Sequence, residues 1–216
     1  IDESDRTEVA RADAANTLIC FYSDHGDHLG DHRAWQKESF FEAACRVPLI
    51  VSWPARLPAG KRHGGLAALT DLFGLATAAS GAPELRDGHD FLGALRGESP
   101  TREVVFGVFG TPGTRQFKCM VRRGPWKYIW LANGGRELIF NLERDPGESR
   151  SFAATDPVLL DELRREAIQI VASRELTRPA LESGALKALP FEPFPRTRIK
   201  QFARGVTDFG QGGLPR

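Results

Sequence analysis

Runs and alternations of apolar residues divide this chain into elements before any single side chain is weighed. Thr17-Leu18-Ile19-Cys20-Phe21-Tyr22 is a short continuous apolar run that stops at Ser23-Asp24-His25-Gly26. That is the pattern of a strand buried on both faces, and it predicts a parallel sheet covered by helices. Val47-Pro48-Leu49-Ile50-Val51-Ser52-Trp53 predicts a second strand, opened by Pro48 and ended by Pro54. Across 66–79 the residues Leu69, Leu72, Phe73 and Ala76 recur at three- and four-residue spacing, which predicts a sheet-covering helix finished by Ser80-Gly81. The stretch 83–100 is rich in Gly and charge and is expected to be a boundary loop.

Beyond it the pattern changes to four short strand-like runs, 104–109, 117–122, 126–131 and 137–142, separated by Gly/Pro turns. Their close spacing predicts antiparallel hairpins. Asp145-Pro146-Gly147-Glu148 makes a turn, and Thr155-Asp156-Pro157 starts a helix with Pro at the first helical position. Its apolar stripe is Leu160, Leu163, Ala167, Ile170 and Val171. The opening residues 2–15 read as the end of a helix, and the Pro-, Gly- and base-rich remainder after Arg178-Pro179 reads as a tail. The expected division is therefore 1–98, 99–175 and an extended tail, 176–216.

With 216 residues, 41% of them apolar and 26% charged, the chain falls in the globular range. Its 29 basic and 28 acidic residues leave a formal charge of +1, so there is no net field to hold nucleic acid, and the basic stretch 196–204 changes that little. No apolar stretch approaches the ~18 residues of a membrane helix, and Ile1-Asp2-Glu3-Ser4-Asp5 lacks the basic start and apolar run of a signal peptide. Cys20, Cys45 and Cys119 are expected to be buried free thiols, since none belongs to a CxxC pair.

The chemistry concentrates in 23–37, Ser-Asp-His-Gly-Asp-His-Leu-Gly-Asp-His-Arg-Ala-Trp-Gln-Lys. It follows a buried strand directly, and in open α/β sheets ligands bind outside the carboxyl ends of strands. Asp24 and His25 at the strand exit offer an oxygen and an imidazole nitrogen suited to a divalent cation, although a hard cation wants six to eight ligands. His25, His28 and His32 on one helix face would suggest zinc, but Gly26 and Gly30 oppose a helix there. The alternative is a polar loop that merely solvates itself.

The run SDHGDHLGDHRAWQKESFFEAACRVPLIVSWP resembles the sulfatase family of the alkaline-phosphatase-like superfamily. It matches that family's pattern at Asp24 and His25, Gly30-Asp31-His32, Trp35-Gln36-Lys37, Phe41-Glu42 and Arg46-Val47-Pro48-Leu49-Ile50. MVRRGPWKYIW and ELIFNLERDPGE resemble the same family's C-terminal sheet, so the likeness covers about 17–171. The resemblance implies an α/β fold: the C-terminal part of an alkaline-phosphatase-like sheet flanked by helices, then a small four-stranded antiparallel sheet with a C-terminal helix. It also implies a sulfuric ester hydrolase in which Asp24 and His25 hold a divalent metal, most often Ca2+, with Mn2+ or Zn2+ as alternatives. Lys37 would contact the sulfate and the leaving oxygen, and His32 would line the substrate mouth.

Two departures qualify it. The family attacks sulfur with a formylglycine made in a Cys-x-Pro-Ser-Arg signature, which this sequence lacks; Cys119-Met120-Val121-Arg122-Arg123 has no Pro-Ser and lies in an expected hairpin strand. The family's N-terminal paired Asp ligands and upstream Lys and His are also absent. The expectation is a partial active site, inactive by itself, with the nucleophile in a part outside this chain. Its partner would be a small sulfate ester, with no nucleic acid and no membrane span, the oligomeric state left open. A phosphonate or phosphate ester hydrolase of the same superfamily is the nearest rival reading, and a non-enzymatic interaction module the more distant one.

Overall fold

A computed structural model of the chain describes residues 14–153 and 155–193. The helix end expected over 2–15 falls almost wholly outside the described residues, as do the basic stretch 196–204 and the rest of the tail from 194. The architecture is mixed α/β, as the sequence predicts. Its first part runs β1 (Ile19–Tyr22), α1 (Glu42–Cys45), β2 (Leu49–Ser52), α2 (Asp71–Ala79) and α3 (Phe91–Arg96). Then come β3 (Val104–Phe109), β4 (Lys118–Arg123), β5 (Trp126–Leu131) and β6 (Arg136–Asn141), followed by α4 (Pro157–Ser173) and a short hairpin, β7 (Leu181–Glu182) with β8 (Ala185–Leu186).

The first expectation to be corrected concerns β1 and β2. They pair with each other antiparallel, Phe21 opposite Ile50 and Cys20 opposite Val51, and not within a parallel sheet. Nor are they buried on both faces. Cys20, Leu49 and Val51 pack on a core of Trp53, Leu75, Phe91 and Leu92, while Ile19, Phe21 and Ile50 on the other face are exposed. A continuous apolar run reports that both faces of a strand are apolar; it carries no information on strand direction.

The helix expected over 66–79 begins at Asp71, and its inward face is Asp71, Gly74 and Leu75, with Leu69, Phe73 and Ala76 exposed. The spacing is as helical as predicted, but a search for apolar residues passes over an aspartate. Asp71 is buried because its carboxylate accepts from the amides of Ala68 and His89, both at 2.8 Å, and pairs with the Arg102 guanidinium. A third helix, α3, occupies the middle of the expected loop 83–100. Asp90 caps it by accepting from Gly93 N at 3.0 Å, and Gly97, with φ 77°, ends it. Its six residues are too few for a periodicity to register.

The four runs after residue 100 form one antiparallel meander, β3-β4-β5-β6. Alternation gives the sheet two apolar faces. Cys119, Val121, Tyr128, Trp130 and Ile139 meet α4 through Leu163, Ala167 and Val171, and Asp156 caps that helix by accepting from Leu159 N at 3.0 Å. Met120, Ile129 and Phe140 on the opposite face meet Phe40 and Phe41, which precede α1. Residues 181–186, expected to be featureless tail, fold into the β7–β8 hairpin; Ala180 and Leu186 are buried in the α4 core.

On the face toward α1 lies a fully buried charge. The Lys127 ammonium contacts Glu42 Oε1 at 2.6 Å, Glu148 Oε1 at 2.8 Å and the Phe40 carbonyl at 2.8 Å. Glu148 Oε2 accepts from Glu42 N at 2.5 Å, and Arg122 lies 3.6 Å from Glu42. Removing one member of such a group leaves buried charge without its counterpart, which costs about 3–5 kcal/mol. Lys127→Met is accordingly expected to lower unfolding free energy by about that amount in urea titration; a loss below about 1 kcal/mol would show that the group contributes little.

Asp90 gives a pH signature. The Ser99 hydroxyl, 2.5 Å away, and the Gly93 amide hold its carboxyl below the usual carboxylate range, burial working against them. A depressed folded-state value means stabilisation that is complete above the unfolded carboxyl's pKa, near 3.9, and is lost as pH falls through the folded one. Between pH 7 and pH 3, Asp90→Asn should therefore lose less stability than the native chain in paired urea titrations.

Candidate active site

The segment after β1 is a loop, not a helix, with a tight turn at Asp31–Arg33 that His32 takes in left-handed backbone. Three devices hold its shape. Ser23 Oγ donates to the His25 carbonyl at 2.7 Å, and Gly26 N donates to Ala44 O at 2.9 Å, docking the loop on α1. The approach at Gly26 is so close that a Cβ there would sit 2.0 Å from the Ala43 carbonyl oxygen, so only glycine fits. Asp27 Oδ1 then accepts from the amides of Leu29 at 2.9 Å and Gln36 at 3.1 Å, and His28 N donates to Gln36 O at 2.8 Å. These bonds bring the far end of the loop back to its start and carry Lys37 to the strand exit. Leu29, His32, Arg33 and Gln36 all adopt left-handed backbone, φ 48° to 67°, a conformation that costs an L-residue roughly 1–2 kcal/mol and tends to collect at functional loops.

The three histidines part company. His25 Nδ1 lies 2.7 Å from the Gly26 carbonyl. A carbonyl only accepts, so Nδ1 carries the proton and Nε2 presents its lone pair. That lone pair accepts from Lys37 Nζ at 2.5 Å, and Asp24 Oδ2 lies 3.6 Å from the same nitrogen. Asp24, His25 and Lys37 thus come together at one point. His25 is half-buried, whereas the Asp24 and Lys37 side chains reach solvent. His32 is elsewhere, stacked on Phe41 with ring centroids 3.9 Å apart. His28 is buried, its Nε2 2.6 Å from Ser39 Oγ and its amide donating to Gln36 O, so it contacts the residues two after and one before Lys37.

For a divalent cation, Asp24 and His25 supply one carboxylate and one correctly oriented imidazole nitrogen. They fit as two ligands. Among the described residues no cluster of three or more His, Cys, Asp or Glu could hold a metal ion, so these two would not complete a coordination shell by themselves. The cysteines are no substitute nucleophile. All three are free as expected, but only Cys119 is fully buried, Cys20 and Cys45 being half-buried; burial pushes the Cys119 thiol up to about 12 and Cys45 up to about 11, and raises Cys20 as well.

Sequence reasoning missed the Lys127 group and the His28–Ser39 bond. Lys127 does leave a trace: it is the one charge inside the otherwise aromatic and apolar strand Trp126–Leu131. Ser39 leaves none, because a serine partnering a histidine eleven residues away has no sequence signature.

The chain is similar in sequence and fold to known sulfatases. Residues 8–81 match the family described as Sulfatase. Choline-sulfatase of Rhizobium meliloti (strain 1021) is 32% identical over 146 residues, 64% of this chain and 27% of that protein. A solved 2-O GAG sulfatase superposes with TM-score 0.65 at 23% identity, covering 81% of this chain and 40% of that one. The phosphonate monoester hydrolase of Agrobacterium radiobacter gives TM-score 0.60 at 26% identity, covering 73% and 35%. The fold is therefore similar to part of the fold of solved sulfatases and of a phosphonate monoester hydrolase. The similarity is thus to the sulfatase family, and the chain spans about a third of the length of the curated relatives it matches.

Asp27→Ala would release two amides at once. Hydrogen exchange at Leu29 and Gln36 is expected to quicken roughly fivefold, since a single hydrogen bond carries about 1 kcal/mol. Unchanged exchange would mean that the loop is held by other contacts.

Proposed function

We infer that the loop 23–37 supplies part of the cation and sulfate site of a sulfuric ester hydrolase. Asp24 and His25 are assigned as two ligands of a divalent cation, calcium by preference, and Lys37 as the ammonium that contacts the sulfate and its leaving oxygen. His32, exposed against Phe41, is assigned to the substrate mouth. The observation that carries this reading is the meeting of a carboxylate, an imidazole lone pair and an ammonium at the end of β1.

A bound divalent cation would supply Lewis-acid polarisation of a sulfate oxygen. The residues present do the rest. The Gly26 carbonyl fixes the His25 tautomer, and the single Nε2 lone pair makes ligation and acceptance from Lys37 mutually exclusive. An ammonium about 4 Å from a unit negative charge gains roughly 4 kcal/mol at an effective dielectric near 20. Placed on the transition state, that is about a thousandfold in rate.

A second reading keeps this machinery and changes the ester, supported by the likeness to a phosphonate monoester hydrolase. Kinetic comparison of sulfate and phosphonate esters on the complete enzyme separates the two.

The 216-residue chain by itself contains no Cys-x-Pro-Ser-Arg nucleophile and is expected to show no turnover of 4-nitrophenyl sulfate. Its calcium affinity should be weak, about millimolar, and should vanish in Asp24→Asn and in His25→Ala. Turnover by this chain alone would refute the partial-site reading, and calcium binding unchanged in both variants would remove the metal assignment.

A further inference from the structure

Lys37 carries its ammonium on a single side-chain contact. Among the described residues Nζ meets only His25 Nε2, at 2.5 Å, and that lone pair is the one a cation would take. Once it is taken, the place of the ammonium depends on how firmly the backbone of residue 37 is held. Three hydrogen bonds hold it. Gln36 N donates to Asp27 Oδ1 at 3.1 Å, Gln36 O accepts from His28 N at 2.8 Å, and Lys37 O accepts from Ser39 N at 2.7 Å. The first two secure the chain before Lys37. The third ties Lys37 to Ser39 and is only as firm as Ser39 itself.

Ser39 is held by His28. That imidazole is buried, 3% exposed, in a loop whose other residues mostly face solvent. Its Nε2 lies 2.6 Å from Ser39 Oγ, and its ring is in T-shaped contact with Phe41, centroids 5.9 Å apart, and with His32, 6.2 Å apart. His28 therefore clasps the chain twice, by its amide at Gln36 and by its ring at Ser39. The other ring nitrogen shows which group donates. Nδ1 is buried and has no hydrogen-bond partner. A proton there would be a buried donor without an acceptor, and orphaned N–H groups are rarer in folded proteins than under-used acceptors. The proton thus sits on Nε2 and is donated to Ser39 Oγ, which also accepts from Phe41 N at 3.2 Å. His25, three residues earlier, is held in the opposite tautomer by the Gly26 carbonyl.

We infer that His28, as the Nε2–H tautomer, is the positioning residue for Lys37: acting through Ser39, it keeps the ammonium at the strand exit when His25 no longer accepts from it. Its importance for the reaction rests on the reading of Lys37 as the group that contacts sulfate. His28 itself is assigned to neither anion nor cation, so its effect falls on the order of residue 37 and leaves the charge of the site unchanged.

The test is NMR on the 15N-labelled 216-residue chain. Two-bond 1H–15N spectra of the imidazoles should show His28 protonated at Nε2 and His25 at Nδ1; a His28 proton on Nδ1 would overturn the donor assignment and the inference with it. The order parameter of the Lys37 amide, about 0.85 in the unaltered chain, should fall below about 0.6 in His28→Leu and in Ser39→Ala. The double variant should be no worse than either single one, and the amides of Val121 and Ile129 in the meander should keep their order. His28→Gln, whose side-chain amide can donate to Ser39 as Nε2 does, should restore order at Lys37. Undiminished order in Ser39→Ala, or no rescue by His28→Gln, overturns the inference. Ser39→Ala removes one hydroxyl from a half-buried residue, so the comparison decides even if His28→Leu fails to fold. Titration with inorganic sulfate separates the clasp from the assignment of Lys37. Sulfate should shift the Lys37 amide, with affinity about fivefold weaker in Ser39→Ala, the effect of one hydrogen bond. If sulfate shifts nothing in the unaltered chain while order still falls in the variants, the assignment of Lys37 fails and the clasp by His28 stands.

Discussion

One buried ammonium fastens the two parts of this molecule together. Lys127 projects from the inner strand β5, near its start, and is shared by Glu42 on α1 and Glu148 in the turn after β6. With Arg122 the group balances two positive charges against two negative ones. It holds α1 at a fixed height over the sheet, and α1 offers the Ala44 carbonyl to Gly26. The candidate site is thus positioned by a contact spanning more than a hundred residues of sequence, the Glu42 amide donating to the Glu148 carboxylate beside the shared Lys127 ammonium. Buried pairs of this kind are poor sources of net stability but stringent about geometry, because any displacement exposes an unmatched charge to an apolar surround. The requirement here is geometric: three side chains at a loop end must meet.

The loop itself accepts strain to satisfy that requirement. Four non-glycine residues in left-handed backbone would not persist in a free segment of this length. They persist because Asp27, Gly26 and the His28 amide each fix a different point of the turn. The loop is tied to its own base and to α1, so its shape depends on the packing beneath it.

Much of this was legible in the sequence, and the exceptions share a cause. The meander strands and α4 announced themselves through alternation, Gly/Pro turns and the Asp156-Pro157 start, all local signals. Asp24, His25 and Lys37 were legible through motif. Strand direction in β1 and β2 was not, since pairing is a relation between segments that neither encodes alone. The inward face of α2 was misread because Asp71 is buried by virtue of a partner, Arg102, thirty-one residues on. Short α3 and the β7–β8 hairpin lack the length for a period, and they are ordered by capping and by docking of Ala180 and Leu186. In each case the missing information was a contact partner, not a propensity.

The open side of β1 and β2 has a consequence for handling the molecule. Ile19, Phe21 and Ile50 lie bare on a ladder only two strands wide, whose outer backbone groups have no neighbouring strand among the described residues. Such an edge is adhesive, because a second chain can extend the ladder while hiding the apolar side chains. Concentrated solutions of this polypeptide should therefore turn cloudy through strand-to-strand stacking well before the meander and α4 lose their structure. Polar replacements at positions 21 and 50 offer a direct way to keep it dispersed.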